Sequence, residues 1–387
     1  MLESHRSPEH CMIATHFVTG ATGLVGSAIV LELLQRTTDD VCCLVRPGSE
    51  EVTARLRRVL LRAAESYAAP PDVRRAIAER CHAVAGDVIE PCNLPPDPDR
   101  SFTQFWHSAA SLHFEARYAD EIMAVNCQGT ARALELAARL GVSQFNHLST
   151  AYVAGTRPGE IAEAACPRDT RPNNLYEKSK IEAEALVERD PRFARRILRP
   201  SIVIGHSRTL ETIHPTGLYG FMRKLRAYRG VLARTQASLV RDKSLRLRVD
   251  TGTELDLIPI DRVAANAVTI ALIRDPPPIS YFHLSNPCAP QADMTTEVMF
   301  ETSGLARPTF VPDGSAFDWL DEQFHLRTEF YRTYLTGFRT FLRTHTARAV
   351  GPEPVEPYRL PRDVMRSYCA WYVARLEQEW VDLPPTR

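Results

Sequence analysis

The first two hundred residues alternate between short apolar runs and longer runs with the spacing of amphipathic helices. MIATHFV (12–18) is apolar and β-prone, SAIVLELLQR (27–36) has helical spacing, and VCCLVR (41–46) is β-prone again. A strand, a glycine-containing turn, a helix and a second strand make a βαβ unit. The chain therefore begins with the building block of a parallel sheet.

The same alternation continues downstream and predicts an α/β fold. Strands that alternate with helices form a parallel sheet that is covered on both faces. We therefore expect a Rossmann-type, doubly wound parallel sheet. The pattern predicts helices within 51–80, 121–142 and the segment around Tyr176, strands within 81–88, 102–110, 145–155, 195–205 and 281–286, and a strand followed by a helix over 256–272.

The alternation of strand and helix patterns stops after Gly205, where Pro, His, Arg and Tyr become frequent. We predict a flexible tail over 1–11 and a nucleotide-binding Rossmann domain over 12–205 that is completed by about 256–286. Residues 206–255 and 287–387 are predicted to form a smaller, mainly helical substrate-binding lobe.

Composition narrows the function classes. Lys+Arg and Asp+Glu are both 47, so the net charge of zero gives no reason to expect nucleic acid as a partner. No apolar run approaches the roughly 18 residues of a membrane span, and the polar start MLESHRSPEHC lacks a secretory signal. The nine cysteines include no C-x-x-C pair. We expect a cytoplasmic protein without a transmembrane segment, a disulfide framework or a bound metal.

The stretch TGATGLVG (19–26) lies between the first strand and the first helix. Glycines there permit a sharp turn and the close approach of a pyrophosphate, and the helix N-terminus offers free N–H groups to phosphate. A purely structural turn is the alternative. The predicted cofactor contacts in this stretch are Thr19, Gly20, Thr22, Gly23, Leu24, Val25 and Gly26.

The ends of two strands carry candidate cofactor contacts. An acidic residue at the end of the second strand would favour NAD, but the chain has Arg46, which can pair with the 2′-phosphate of NADP(H). Asp87, followed by Val88, lies at the next strand end and can accept a hydrogen bond from the adenine amino group. Solvated strand-end and loop residues are the rival interpretations for Arg46 and Asp87.

A second group of residues suggests proton transfer. Tyr176 and Lys180, in LYEKSKIEAEAL, are one helical turn apart, and Thr150 closes an upstream strand. Because a free phenol has a pKa near 10, a neighbouring ammonium is expected to lower it. We predict Thr150 as a hydrogen-bond partner of the substrate oxygen, Tyr176 as the acid–base group and Lys180 as its support.

Together these motifs resemble the extended short-chain dehydrogenase/reductases over about residues 12–290. In that resemblance Asn126, in VNCQGT, supports the site from a helix, and LRPSIVIG (198–205) passes the nicotinamide. The latter implies cofactor contacts from Pro200, Ile202 and Val203, in addition to Asn126, Tyr176 and Lys180.

A narrower resemblance rests on VCCLVR, FWHSAASLHF, LSTAYVAG and LRPSIVIG. These are similar to the fatty acyl-CoA reductases and to the terminal thioester-reductase domains of carboxylic acid reductases and peptide synthetases. The likeness implies NADPH-dependent reduction of an acyl thioester to an aldehyde, and onward to an alcohol in some cases, with CoA or an acyl carrier protein delivering the substrate. It also implies that His107, Ser108, Ala109 and Ala110 line the cofactor cleft, although a packed structural histidine is an equal alternative for His107, and His113 is similarly open.

Other functions use the same residues. An NADP-dependent alcohol or sterol dehydrogenase, or a sugar-nucleotide epimerase or dehydratase, also needs Thr150, Tyr176 and Lys180. A non-catalytic NADP sensor does not need to keep them.

Two downstream segments are candidates for substrate contacts. Residues 222–248 contain nine basic residues and a single acid, which suits a CoA phosphate or an acidic carrier, although solvated surface charges are the alternative. Residues 329–345 are predicted to form one amphipathic helix that covers an acyl pocket, rests on a membrane or packs on the C-terminal lobe. The nine basic residues are Arg223, Lys224, Arg226, Arg229, Arg234, Arg241, Lys243, Arg246 and Arg248.

Overall fold

The computed structural model describes residues 13–90, 100–235, 238–250, 252–351 and 358–381. The tail expected at 1–11 lies outside this part of the chain. In chain order the strands are β1 (Ile13–Thr19), β2 (Asp40–Val45), β3 (Cys81–Ala85), β4 (Arg100–His107), β5 (Gln144–Leu148), β6 (Gly159–Ile161), β7 (Ala194–Pro200), β8 (Ile202–Ile204), β9 (Arg246–Arg248), β10 (Leu257–Pro259), β11 (Ile279–Leu284), β12 (Thr309–Val311) and β13 (Arg339–Phe341).

Helices occupy most of the connections between these strands. They are α1 (Leu24–Arg36), α2 (Val52–Ser66), α3 (Pro71–Arg80), α4 (Ala119–Met123), α5 (Gly129–Arg139), α6 (Leu175–Arg189), α7 (Leu218–Thr235), α8 (Leu239–Asp242), α9 (Ile260–Ala271), α10 (Ala292–Thr302), α11 (Trp319–Leu335), α12 (Thr344–Val350) and α13 (Arg362–Val381). A π-helical turn, Ala124–Gln128, joins α4 to α5, so the predicted helix over 121–142 is one nearly continuous helix with a π-bulge.

Seven strands form one parallel sheet, in the order β3-β2-β1-β4-β5-β7-β11. The order reverses between β1 and β4, so the crossovers on the two sides of this point lie on opposite faces. Ligands of such sheets bind in the crevice at the carboxyl ends of the strands at this reversal. The predicted Rossmann-type sheet is confirmed.

Each face of the sheet is covered by its own helices. On one face α1 packs against α9, and Ile29, Leu33, Val263 and Ala267 are fully buried there. On the other face α5 and α6 cover a separate apolar cluster. This double covering accounts for the unbroken apolar runs of the central strands.

A third apolar cluster lies beyond the sheet, where α7, α10, α11 and α13 pack together. The short parallel pairs β8 with β10, β9 with β12 and β6 with β13 border this helical part. Among the residues that the structure describes, no helix has the length and apolar character needed to cross a bilayer.

The helix predicted over 329–345 is wrong in its second half. Helix α11 ends at Leu335, and Gly337 follows with φ of +80°, a conformation that side chains other than glycine rarely adopt. The Gly337 N–H donates to the Asp250 carboxylate at 2.8 Å. The chain then enters β13, which pairs with β6, so the aromatic spacing spans a helix, a turn and a strand.

Candidate active site

The glycine turn brings β1 close to the end of β4. Gly20 has φ of +75°, and a Cβ there would lie 2.5 Å from the Ala109 nitrogen. A Cβ on Gly26 would lie 2.1 Å from the Gly20 oxygen. Gly23 caps α1 without a side-chain hydrogen bond, and Gly23, Leu24 and Val25 line a cavity of about 530 Å³. The N-terminus of α1 therefore opens towards this cavity, and the turn fits a pyrophosphate.

Arg46 and Asp87, the two strand-end residues expected to contact the cofactor, pair with each other. The Arg46 Nε atom lies 2.8 Å from an Asp87 carboxylate oxygen, and the Arg46 side chain is 62% exposed. Thr19, Asp87 and Val88 line a smaller cavity of about 240 Å³ together with Arg132 of α5. The guanidinium is held at the end of β2 and is open to solvent.

His107 is buried, and its ring joins side chains of β1 and α5 by hydrogen bonds. Its Nδ1 lies 2.9 Å from Thr19 Oγ1 and its Nε2 lies 3.0 Å from Thr130 Oγ1. Because the Thr130 hydroxyl donates to the Asn126 carbonyl at 2.6 Å, it accepts from His107, so the network assigns the proton to Nε2. Burial lowers the pKa of His107 to about 3, which keeps the ring neutral. The packed interpretation of His107 is the one that these contacts support.

Asn126 ties the loop after β4 to the helix that carries Tyr176. Its Nδ2 donates to Ser179 Oγ at 2.8 Å and to the Ser111 carbonyl at 3.1 Å, and its Oδ1 accepts from the Ser111 N–H. Ser179 in turn donates to the Tyr176 carbonyl at 2.7 Å. Asn126 therefore acts on the position of α6, and it lies in the π-helical turn.

Thr150, Tyr176 and Lys180 line the 530 Å³ cavity together. Helix α6 carries the last two, and its N-terminus is capped by Asn174, whose side chain accepts from the Glu177 N–H at 2.9 Å. The Lys180 ammonium donates to the Leu148 carbonyl at 2.7 Å, and Thr150 Oγ1 donates to the Pro200 carbonyl at 3.4 Å. The structure thus brings the three predicted catalytic side chains to one wall, at the carboxyl ends of β5 and β7.

The protonation of Tyr176 differs from the sequence expectation. Burial raises the pKa of Tyr176, and the neighbouring Glu177 raises it further. Burial also lowers the pKa of Lys180 to about 8, against the opposing effect of Glu184. The expected lowering of the phenol pKa is absent, because desolvation and the charge of Glu177 both raise it. Tyr176 is consequently a protonated donor at neutral pH.

The other predicted cofactor contacts divide into two groups. Ser108, Ala110, Pro200, Ile202 and Val203 line the cavity. Those outside its lining are Thr22, whose carbonyl lies 3.0 Å from His214 Nε2, and Ala109, whose N–H lies 3.4 Å from Thr19 Oγ1.

Sequence reasoning missed much of the cavity wall. Phe114 comes from the loop after β4, Phe221 from α7, Met299 from α10, and Tyr331 from α11. Their apolar character does not distinguish them from core residues in a single sequence. Tyr334, one turn after Tyr331, belongs to the amphipathic pattern predicted over 329–345. Its ring packs edge-on against the Tyr152 ring, with centroids 4.6 Å apart.

The basic segment divides between the cavity and surface ion pairs. Arg223 and Lys224 line the cavity. Arg226 pairs with Glu377, Arg229 donates to the Gly304 carbonyl, and Lys243 and Arg246 pair with Asp318 and Asp321. The side chain of Arg241 lies outside the described part of the chain. Only Arg223 and Lys224 of the described basic residues therefore adjoin the candidate site.

His113 is half exposed and stacks on Tyr118 with ring centroids 4.0 Å apart. It does not line the cavity in the described structure.

The sequence is similar to a known protein family and to domains of larger proteins. An NAD-binding family model described as Male sterility protein matches residues 18–267. A linear gramicidin synthase of Brevibacillus parabrevis is 28% identical over 289 residues, which is 71% of this chain and 5% of that protein. Fatty acyl-CoA reductase 8 of Arabidopsis thaliana is 28% identical over 164 residues, which is 38% of this chain and 33% of the reductase.

A solved structure shows the same fold over nearly the whole chain. The terminal R domain from the myxalamid PKS-NRPS biosynthetic pathway superposes with a TM-score of 0.73 at 24% identity, covering 94% of this chain and 91% of that one. The chain spans only a small part of the gramicidin synthase and a third of the plant reductase. The similarity therefore concerns one domain of such proteins.

Proposed function

The chain belongs to the male sterility protein family, and we propose that it reduces an acyl thioester to an aldehyde with NADPH, using Tyr176 as the proton donor. It is an oxidoreductase of the extended short-chain dehydrogenase/reductase type that uses a nicotinamide cofactor. The observation that carries the proposal is a single cavity that runs from the glycine turn, past Thr150, Tyr176 and Lys180, into an aromatic wall of the C-terminal lobe.

The residues at the head of α1 fit a dinucleotide. The space beside Gly20 and Gly26 admits no side chain, and the first turn of α1 faces the cavity. We infer NADPH rather than NADH from Arg46, because its exposed guanidinium at the end of β2 can pair with a 2′-phosphate. When bound, the reduced nicotinamide supplies a hydride.

The chain itself supplies the proton and orients the substrate oxygen. Tyr176 donates its phenolic proton to the thioester carbonyl oxygen as the carbonyl carbon gains a hydride, and Thr150 hydrogen-bonds the same oxygen. The C–S bond of the resulting hemithioacetal then breaks, the C=O bond re-forms, and the hydroxyl proton leaves on the thiol. A proton from water restores Tyr176, so one hydride and one proton are consumed. The Lys180 ammonium stabilises the transient phenolate.

An apolar, aromatic wall suits an acyl group better than a sugar, because a sugar would bury hydroxyls without partners. Arg223 and Lys224 suit the phosphate of a pantetheine arm, whether in CoA or on a carrier protein.

The test is NADPH oxidation by the purified protein with octanoyl-CoA, an octanoyl-loaded acyl carrier protein and octanal as separate substrates. We expect thioester-dependent oxidation, with NADPH preferred to NADH, and a loss of at least about 100-fold in kcat for Tyr176→Phe. Tyr118→Phe, a tyrosine outside the cavity, is the matched control and should retain activity. The rate with octanal reports whether reduction continues to the alcohol.

Equal activity of Tyr176→Phe and the unmodified protein would refute the assigned proton donor. Turnover of octanol with NADP but of no thioester would instead identify an alcohol dehydrogenase.

A further inference from the structure

The wall of the cavity beyond the reaction centre is built around Tyr331. Its ring packs edge-on against Phe221 of α7, with centroids 5.3 Å apart, and against Phe114 of the loop after β4, at 6.3 Å. Phe114 is half-buried and the nearby Leu112 is 53% exposed, so this loop forms the outer rim of the cavity. Tyr331 therefore lies between Phe114 of the rim and Phe221 of the deeper wall.

The position of Tyr331 depends on a glycine in the facing helix. Gly220 lies in the first turn of α7, and a Cβ there would lie 2.4 Å from the Tyr331 hydroxyl oxygen and 3.4 Å from Cζ. The hydroxyl end of the ring therefore rests directly on the α7 backbone. The backbone does not require glycine at position 220, because Gly220 lies in helix α7 and its φ is outside the left-handed region.

We propose that the Gly220–Tyr331 contact is a specificity determinant that admits bulky apolar acyl groups to the reaction centre. With no side chain at position 220, the Tyr331 ring lies against α7 and the passage beside it stays open. A methyl group at 220 displaces the ring from α7 into the cavity that it lines. This inference rests on the proposed thioester reduction, which it deepens by assigning the acyl class.

The displacement is a side-chain movement, so the fold should survive it. The atom that meets the new methyl group is the end of a tyrosine side chain, which can rotate, whereas backbone atoms cannot retreat so easily. The same helix offers a matched control at Gly230, where the nearest atom to an added Cβ is an Arg234 guanidinium nitrogen 3.9 Å away. Gly230→Ala therefore makes the same chemical change in α7 without touching the cavity.

The experiment compares octanoyl-CoA with butyryl-CoA in four proteins: the unmodified chain, Gly220→Ala, Gly230→Ala, and Gly220→Ala combined with Tyr331→Phe. We expect Gly220→Ala to lower the octanoyl-to-butyryl ratio of kcat/KM by about tenfold, which is the scale of one misplaced methylene-sized contact. Gly230→Ala should keep the ratio of the unmodified protein. The double variant should recover most of it, because the atom that met the new methyl group is gone.

An unchanged ratio in Gly220→Ala would overturn the inference, as would a double variant that is no better than the single one. Calorimetric titration of the same proteins with both acyl-CoAs gives a readout that does not require turnover. If no thioester is reduced but Gly220→Ala still weakens octanoyl-CoA binding more than butyryl-CoA binding, the proposed reaction fails while the specificity contact stands. If the unmodified protein reduces or binds neither compound, the inference fails.

Discussion

Replacing Gly20 with alanine is the sharpest test of the cofactor turn, because a control with the same backbone exists elsewhere in the chain. Gly20 and Gly141 have nearly equal φ values of +75° and +69°. A Cβ on Gly20 would lie 2.5 Å from the Ala109 nitrogen and 2.6 Å from the Ser108 carbonyl carbon, whereas a Cβ on Gly141 would meet nothing within 4 Å. The two variants share a left-handed φ and differ in whether the added methyl group meets neighbouring backbone atoms.

The expected losses of folding stability and of NADPH affinity follow from that difference. Both alanines incur the left-handed backbone penalty, roughly 1–2 kcal/mol per residue. Only Gly20→Ala must also move the backbone that follows β4, by roughly 1 Å to reach ordinary contact distance, and overpacking of this kind costs about 1–3 kcal/mol more. The moved segment includes Ala109 and its neighbour Ser108, and Ser108 lines the 530 Å³ cavity. We therefore expect Gly20→Ala to be the less stable variant by about 1–3 kcal/mol and to bind NADPH much more weakly.

The assay is urea unfolding of both variants, followed by circular dichroism, and titration of each folded protein with NADPH monitored by its fluorescence. Gly141→Ala should bind NADPH as the unmodified chain does. If the two variants unfold at the same urea concentration and bind NADPH equally, the close approach at Gly20 has no energetic consequence and the reasoning fails.

Three further predictions concern charge. Because the lowered pKa of Lys180 is about 8, its ammonium is lost as pH rises, so kcat/KM for reduction should fall above about pH 8. Tyr176, whose pKa is raised, stays protonated there. A constant kcat/KM up to pH 10 would contradict the assignment of this pH dependence to Lys180. The Arg199–Glu184 pair is fully buried at 2.7 Å, so Glu184→Gln should lower the free energy of unfolding by about 3–5 kcal/mol in a urea titration. Arg46→Ala should raise KM for NADPH by about tenfold and leave KM for NADH nearly unchanged, and an equal rise for both cofactors would remove Arg46 as the 2′-phosphate contact.

The sequence predicted those features of the site that depend on local spacing or on where strands end. The glycine turn, the one-turn separation of Tyr176 and Lys180, and the strand that ends before Thr150 all converge, because the carboxyl ends of parallel strands share one edge of the sheet. Residues such as Met299 and Tyr331 could not be predicted, since they reach the cavity through packing between segments far apart in the chain. The pKa of Tyr176 was also beyond a sequence argument, because its sign depends on desolvation.

The position of Tyr176 is linked to the glycine turn by hydrogen bonds through the protein interior. Every contact in this series is 3.0 Å or shorter, and its members come from β1, β4, the π-helical turn, α5 and α6. Asn126 lies in the π-helical turn, and its side chain donates to Ser179 of α6 while its carbonyl accepts from Thr130 of α5. Because buried networks are costly when only partly satisfied, a shift of the turn strand relative to α6 would break several bonds at once. The series fixes the glycine turn relative to the helix that carries Tyr176, and it runs through Thr19, His107, Thr130, Asn126, Ser179 and Tyr176.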